Sequence, residues 1–198
     1  MELDKTQQLR DRVRRAYSAA AERPQEEHPF PRGRSFAESL GYPCDLLASL
    51  PPGSVDAFTG VSNVSLFADI PAGATVLDLG CGAGLDCLIS ARKVGPQGRV
   101  IGVDFSEAML SQARQAAAES GIHNVVFCQA DAENLPLEDG GIELALVNGV
   151  FNLNPAREAI FREIARVVRP GGAVYAAELI LCEPLPPEMQ ESESNWFA

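Results

Sequence analysis

From residue 73 onward the chain repeats one pattern: a short apolar run rich in β-branched residues, then an amphipathic stretch, then another apolar run. ATVLDLG, RVIGVD, NVVFCQ, IELALV and GAVYAAELI are the five runs, with GAVYAAELI at about 172–180. Runs this short, apolar throughout and bounded by turn residues suit strands buried on both faces. Helical periodicity fills the intervals at about 84–94, 106–120 and 156–168. Ser106 is placed to cap the second of these helices. Asn154 followed by Pro155 reads as cap and first position of the third, which Pro170-Gly171-Gly172 should stop. Asp139-Gly140-Gly141 reads as the turn before the fourth strand. Repeated β–α units close by right-handed crossovers, so the expected fold is α/β, a Rossmann-like, mostly parallel five-stranded sheet covered on both faces. Ligands of such sheets bind beyond the carboxyl ends of the strands, where the strand order reverses.

Residues 1–72 have a different texture and read as an N-terminal helical cap, leaving 73–198 as the core. Leu9, Val13, Tyr17 and Ala20 recur at three- and four-residue spacing, predicting a helix over 3–21. RPQEEHPFPRGRS reads as loop, and SFAESLGYPCDLLASLPPGS as short helical pieces broken at Pro43 and at Pro51-Pro52. A net charge of −11 argues against nucleic acid as partner, since binding phosphates needs concentrated basic surface. No apolar run approaches the roughly 20 residues that span a bilayer. The N-terminus shows no leader pattern, and the expected location is cytoplasmic. Five cysteines form no CxxC pair and His28 and His123 stand far apart, so no metal site is expected and the thiols should be free.

The first strand runs into Asp78-Leu79-Gly80-Cys81-Gly82-Ala83-Gly84. Glycines at alternate positions let the backbone turn sharply and approach a ligand closely, although a tight turn without a ligand reads the same way. The spacing is GxGxG with an acid two residues before the first glycine, not the GxGxxG of dinucleotide enzymes. Asp78 would repel a pyrophosphate and attract an ammonium. Asp104 ends the second strand, where a carboxylate can take both hydroxyls of a ribose. An ammonium reader beside a ribose reader fits S-adenosylmethionine better than a nicotinamide dinucleotide. Asp131-Ala132-Glu133 follows the third strand, where an acid can accept from an adenine amino group or simply face solvent. Asn148 ends the fourth strand, beside the place expected for a transferable methyl.

VLDLGCGAG, GVDFSEAML, ADAENLPLEDG and FREIARVVRPGG resemble the class I S-adenosylmethionine-dependent methyltransferases. More narrowly, LGYPCDLLASLPPGSVDAFTGVSNV, GLDCLISARKVGPQGRVIGVD and NGVFNLNP resemble the arsenite methyltransferases, and the likeness runs from about residue 36 to 190. The resemblance implies S-adenosyl-L-methionine as cosubstrate, held by Asp78, Gly80, Cys81, Gly82, Gly84, Asp104, Phe105, Met109, Asp131, Ala132 and Asn148. It also implies that the segment before the first strand folds over the donor, with Tyr17, Ser62, Asn63 and Gly149 on the acceptor side. This chain departs from the family at two positions that carry arsenic-binding cysteines there, which here are Val61 and Gly149. Neither can ligate a soft metalloid. Cys44, Cys81 and Cys87 are the remaining thiols in this part of the chain.

The expected activity is methyl transfer from S-adenosylmethionine to a small molecule. A donor-binding protein without activity is the alternative, and a nicotinamide-dependent oxidoreductase is disfavoured by Asp78 and the glycine spacing. With no His or Lys near the strand ends, no catalytic base is named. Class I methyltransferases have seven strands, and residues 181–198 are too rich in Pro and Glu to supply the last two. The expectation is therefore a core that lacks its C-terminal hairpin. That points to a fragment of a longer protein or a subunit that self-associates through an uncovered sheet edge. Trp196 and Phe197 look like the start of a segment that docks.

Overall fold

The computed structural model describes residues 2–23, 26–180 and 182, with side chains from Gln8 onward. Trp196, Phe197 and the expectation attached to them lie outside the described residues.

Five strands form one sheet: β1 (Thr75–Leu79), β2 (Arg99–Asp104), β3 (Val125–Gln129), β4 (Ile142–Asn148) and β5 (Val168–Ala177). Their order is β3-β2-β1-β4-β5 and every pairing is parallel. The chain leaves β1 toward β2 and β3 on one side and returns to β4 on the other. The reversal therefore lies between the carboxyl ends of β1 and β4. Three helices make the crossovers: α6 (Leu85–Val94), α7 (Glu107–Glu119) and α8 (Arg157–Val167). Residues at alternate strand positions divide between the faces. Val76, Val100, Leu144 and Leu146 pack with Cys87, Ala91 and Val94 of α6. Leu77, Leu79, Ile101, Val103, Ala145 and Val147 pack with Ile160, Ile164 and Val167 of α8.

The first part of the chain supplies α1 (Glu2–Glu22), α2 (Gly33–Ser39), α3 (Cys44–Ala48), α4 (Pro52–Asp56) and α5 (Val64–Phe67). Breaks fall at Pro43 and Pro51, whose fixed backbone precedes α3 and α4. Tyr42, Leu47, Val55 and Phe58 of this cap share a core with Leu85, Leu88 and Ile89 of α6 and with Ala116 and Ala117 of α7. Ala20 and Ala21 of α1 join Met109 of α7.

Two boundaries differ from the sequence expectation. Asn154 does not cap α8 directly: its side chain accepts from the Ala156 N–H at 2.8 Å, and the helix begins only at Arg157. Pro155 therefore lies in the turn rather than at the first helical position. Pro170-Gly171-Gly172 does not stop α8 either, because the chain passes at Val168 directly into β5, which contains all three residues and ends at Ala177. The ladder jumps from Ile142↔Val168 to Leu144↔Ala173, so the proline and glycines occupy a bulge. An edge strand tolerates a residue with no N–H where a central one would not. Among the described residues no strand lies beyond β5, where Val174 is exposed and the exposed Phe67 meets Tyr175 edge-on at 6.2 Å. Among the same residues, no helix is long and apolar enough to cross a membrane.

Candidate active site

The β1–α6 turn is held against β2 by the N–H groups of Gly80 and Cys81, which both donate to the Val103 carbonyl, at 2.8 and 3.0 Å. Gly80 has φ +74, and a Cβ there would lie 2.5 Å from Val150 Cγ2, so only glycine fits. The turn carries Gly82 to the end of β2, where its N–H donates to Asp104 Oδ2 at 2.9 Å while Ser106 N–H donates to Oδ1 at 2.8 Å. Burial pushes the Asp104 carboxyl above the usual carboxylate range, and these backbone donors pull against that. Ser106 also caps α7, accepting from the Met109 N–H at 3.4 Å.

Two further carboxyls lie at the β1–β4 reversal. Asp78 is buried and accepts from the Cys87 thiol at 3.1 Å. Burial, with the charge of Asp86 added, pushes it up to about 8. Asp86, in the first turn of α6, is also buried and likewise raised by burial. It accepts from the Tyr42 hydroxyl at 2.6 Å, from the Ser65 hydroxyl, and from Asn148 Nδ2 at 3.0 Å. Asn148 completes the join between cap and sheet: its Oδ1 accepts from the Val61 and Ser62 N–H groups at 2.8 and 3.1 Å, and its Nδ2 donates to the Ser62 carbonyl at 2.7 Å. Burial also raises the Cys81 thiol, to about 11. The sulfur is therefore a neutral thiol, not a nucleophile, at neutral pH.

Beyond β4, Gly149 has φ +75 and faces Val61, whose Cγ1 would lie 3.1 Å from a Cβ at Gly149. The 3-10 turn at Phe151–Leu153 follows, fixed by Glu178 at the end of β5, which accepts from the Phe151 and Asn152 N–H groups at 2.6 and 3.3 Å. Across the top lies α1. Arg10 pairs with Glu133 and Arg14 with Asp131, both beyond β3. Tyr17 stacks on Phe30 at 4.5 Å and meets Phe105 edge-on at 6.4 Å. Its phenol is raised first by burial, then by the charges of Asp104 and Glu178.

One cleft gathers Tyr17, Asp78, Gly80, Cys81, Gly82, Asp104, Phe105, Met109, Asp131, Ala132, Asn148 and Gly149. Three expected residues stand outside its lining. Gly84 has φ +85 and faces Ala113 of α7, whose Cβ would be 3.0 Å from one added at Gly84. The Ser62 backbone is engaged by Asn148 and by the Tyr42 hydroxyl at 3.3 Å. Asn63 precedes α5, and its side-chain amide lies against Gly41. Asp86, Arg10 and Arg14 line the cleft without having been singled out in the sequence. Asp86 reads in sequence as an ordinary acid at a helix start. The arginines carried a usable signal: at four-residue spacing they interleave with Val13 and Tyr17 on the apolar face of α1. Among the described residues no three His, Cys, Asp or Glu side chains come together as a metal-ligand set.

A parallel β3-β2-β1-β4-β5 sheet with a glycine turn at its reversal and an acid ending the neighbouring strand defines a Rossmann-like nucleoside-binding protein. The chain belongs to the class I S-adenosylmethionine-dependent methyltransferases: residues 70–197 match the methyltransferase domain family. It is 40% identical over 156 residues to an arsenite methyltransferase of Halobacterium salinarum, covering 79% of this chain and 40% of that one. Identity to a demethylmenaquinone methyltransferase of Lactococcus lactis is 38% over 106 residues, 54% of this chain and 42% of the relative. Among solved structures, an arsenic(III) S-adenosylmethionine methyltransferase of Chlamydomonas reinhardtii superposes with a TM-score of 0.67 at 32% identity, over 74% of this chain and 51% of that one. The chain thus spans about 40% of the length of these curated relatives.

Proposed function

We propose that this chain binds S-adenosylmethionine in the cleft and transfers its methyl group to a small, non-thiophilic acceptor. One observation carries the donor assignment: three buried carboxyls, Asp78, Asp86 and Asp104, stand at the ends of β1 and β2 and in the first turn of α6, and among the described residues the basic side chains lining the cleft are Arg10 and Arg14 on α1. Asp78 and Asp86 repel one another and burial raises both, so a ligand that brings positive charge relieves them. The ammonium and sulfonium of S-adenosylmethionine supply that charge, whereas a dinucleotide pyrophosphate would add to the repulsion. Asp104, fixed by two backbone N–H groups, keeps lone pairs for a ribose diol. When bound, the donor supplies an electrophilic methyl on sulfur.

The chain's own contribution to the reaction is position. Asn148 ties the Val61–Ser62 backbone to the end of β4, and Glu178 ties down the turn after it, so the acceptor side is a fixed wall. Holding nucleophile and methyl in line accounts for most of what such a transfer requires. Val150 and Leu153 line this end of the cleft, and Val61 lies against Gly149. Without thiolates at Val61 and Gly149 the wall offers no ligand for trivalent arsenic, which favours an organic acceptor over arsenite.

Calorimetric titration with S-adenosylmethionine and with a nicotinamide dinucleotide tests the donor assignment. Binding of the first alone is expected, and binding of the second alone overturns it. Release of S-adenosylhomocysteine on adding cell extract separates an active transferase from a donor-binding protein without activity.

A further inference from the structure

Side chains from three separate parts of the fold converge on Asp86. Its Oδ1 accepts from the Tyr42 hydroxyl at 2.6 Å and from the Ser65 hydroxyl, and its Oδ2 accepts from Asn148 Nδ2 at 3.0 Å. Tyr42 precedes α3, Ser65 lies in α5 and Asn148 ends β4. Asp78, the other buried carboxyl at this strand reversal, accepts instead from the Cys87 thiol at 3.1 Å. Both acids line the cleft, whereas Tyr42 and Ser65 stand behind it. Hydroxyl and amide donors favour the ionised form of a carboxyl, and a thiol donates only weakly. When two neighbouring buried acids compete for one proton, the acid with the stronger donors keeps the charge. We propose that Asp86 is the resident anion of the cleft and meets the cationic end of the donor. Tyr42 and Ser65 of the N-terminal cap hold it charged and in place, while Asp78 carries the proton until the donor arrives.

In one respect, the identity of the cation, this rests on the donor reading above. Burial raises both acids, but the Ser65, Tyr42 and Asn148 side chains pull Asp86 back down, whereas the charge of Asp86 adds to what raises Asp78. Other ionisable groups near the pair are of the same sign, neutral or already engaged. Asp104 acts on Asp78 as a further negative charge, and burial keeps the Cys81 and Cys87 thiols neutral. The Lys93 ammonium, two turns further along α6, donates to the Ser65, Leu66 and Ala68 carbonyls. Arg10 and Arg14 pair with Glu133 and Asp131. The charge on Asp86 is thus left for a ligand to neutralise. Tyr42 and Ser65 act as positioning residues, through Asp86, so the cap contributes to donor binding without touching the donor at these two side chains.

Titration calorimetry with S-adenosylmethionine and thermal melts across about pH 5 to 8 test this together. Asp86→Asn keeps the shape and removes the charge, and donor affinity at neutral pH should fall at least about tenfold. In the ligand-free variant the decline of Tm with pH should end at lower pH, because Asp78 has lost the neighbour whose charge helps to raise it. Tyr42→Phe removes one donor to Asp86 and keeps the ring. Affinity should fall by a few-fold, and its rise with pH should move to higher pH, which a loss of stability alone would not produce. Asn124→Ala is the control. It removes two hydrogen bonds, at 3.0 and 2.8 Å, to the Ala91 and Gly95 carbonyls at the far end of α6. Its Tm should drop while affinity and both pH profiles stay as in the unmodified chain. Unchanged donor affinity in folded Asp86→Asn overturns the proposal, as does an equal loss in Asn124→Ala and Tyr42→Phe. Should Asp86→Asn not fold, an unmoved pH profile in Tyr42→Phe has the same force. If the unmodified chain binds no S-adenosylmethionine, the donor reading falls and the melts alone decide which acid holds the charge.

Discussion

The ends of β1 and β2 and the end of β4 with the turn after it form two halves of one cleft, and they are built on different principles. In the first half, ionisable groups are buried and met by fixed donors: Asp104 by two backbone N–H groups, and Asp86 by Tyr42, Ser65 and Asn148. In the second, Asn148 and Glu178 fasten backbone segments, and the Val61 side chain lies against Gly149. The first half retains chemistry suited to a donor with a ribose and positive charge. The second offers a fixed backbone arrangement with Val61 and Gly149 at the two positions where the resembling family carries thiols. Donor recognition in this reading depends on buried charges that must be satisfied in place. Acceptor recognition depends on which side chains project from a fixed frame.

Cutting the join between the halves should have the largest effect. Asn148→Ala removes four hydrogen bonds and leaves Asp86 and the Val61–Ser62 backbone short of partners. Unsatisfied buried groups cost about 1–3 kcal/mol each. A total loss of about 3 kcal/mol, or a fall in Tm of about 6–12 °C for a domain of this size, is expected by calorimetric melting. An unchanged Tm would mean that the halves are held together elsewhere.

Next in size is the loss of the ribose contact. Asp104→Ala should lower donor affinity at least about tenfold, or ~1.4 kcal/mol, in titration calorimetry. Glu107, exposed and paired with Arg114 on the first turn of α7, is the control, and its alanine variant should bind as the unmodified chain does. Unchanged affinity in a folded Asp104→Ala protein would remove Asp104 from the donor site.

The third test uses pH. Without a bound cation, Asp78 keeps its proton up to about pH 8 in the folded chain, against ~3.9 in an unfolded one. Between those values the native state binds more protons than the unfolded state, so stability falls as pH rises. Thermal melts from pH 5 to 8 should therefore show a declining Tm for the ligand-free protein, and Asp78→Asn should flatten the decline. Affinity for the cationic donor should move the opposite way, rising with pH as Asp78 ionises. A Tm that climbs with pH through the Asp78 contribution would reverse this assignment.

The smallest change is expected on the acceptor side. Val61→Cys with Gly149→Cys places two thiols on facing positions, at a cost of about 1–2 kcal/mol for a side chain at φ +75. Weak arsenite binding should appear in titration calorimetry, where the unmodified chain shows none. Efficient methylation of arsenite by the unmodified chain would show that the second half handles arsenic without thiols at these positions.

Local signals sufficed for much of the first half. Gly80, Gly82 and Asp104 announce themselves through spacing at a strand end, because a β–α turn is made by consecutive residues. Asp86 did not, since an acid in a first helical turn looks ordinary until Tyr42, Ser65 and Asn148 converge on it from three separate elements. Gly84, Ser62 and Asn63 fit the expected pattern in sequence but are turned toward packing partners instead of the cleft.

By itself, then, the amino-acid sequence determined the alternation of strands and helices, the parallel sheet and the position of the glycine turn. These follow from periodicity and residue type, which act over a few neighbouring positions. Only the tertiary structure decided that α8 passes straight into β5, because a proline's missing N–H is tolerable or not according to whether its strand is central or at an edge. It also decided the burial that raises Asp78 and Asp86, the facing of Val61 and Gly149, and the reach of Arg10 and Arg14 to carboxylates more than a hundred residues away. Each of these depends on groups distant in the chain sharing one small volume, where desolvation and charge act through space and not along the sequence.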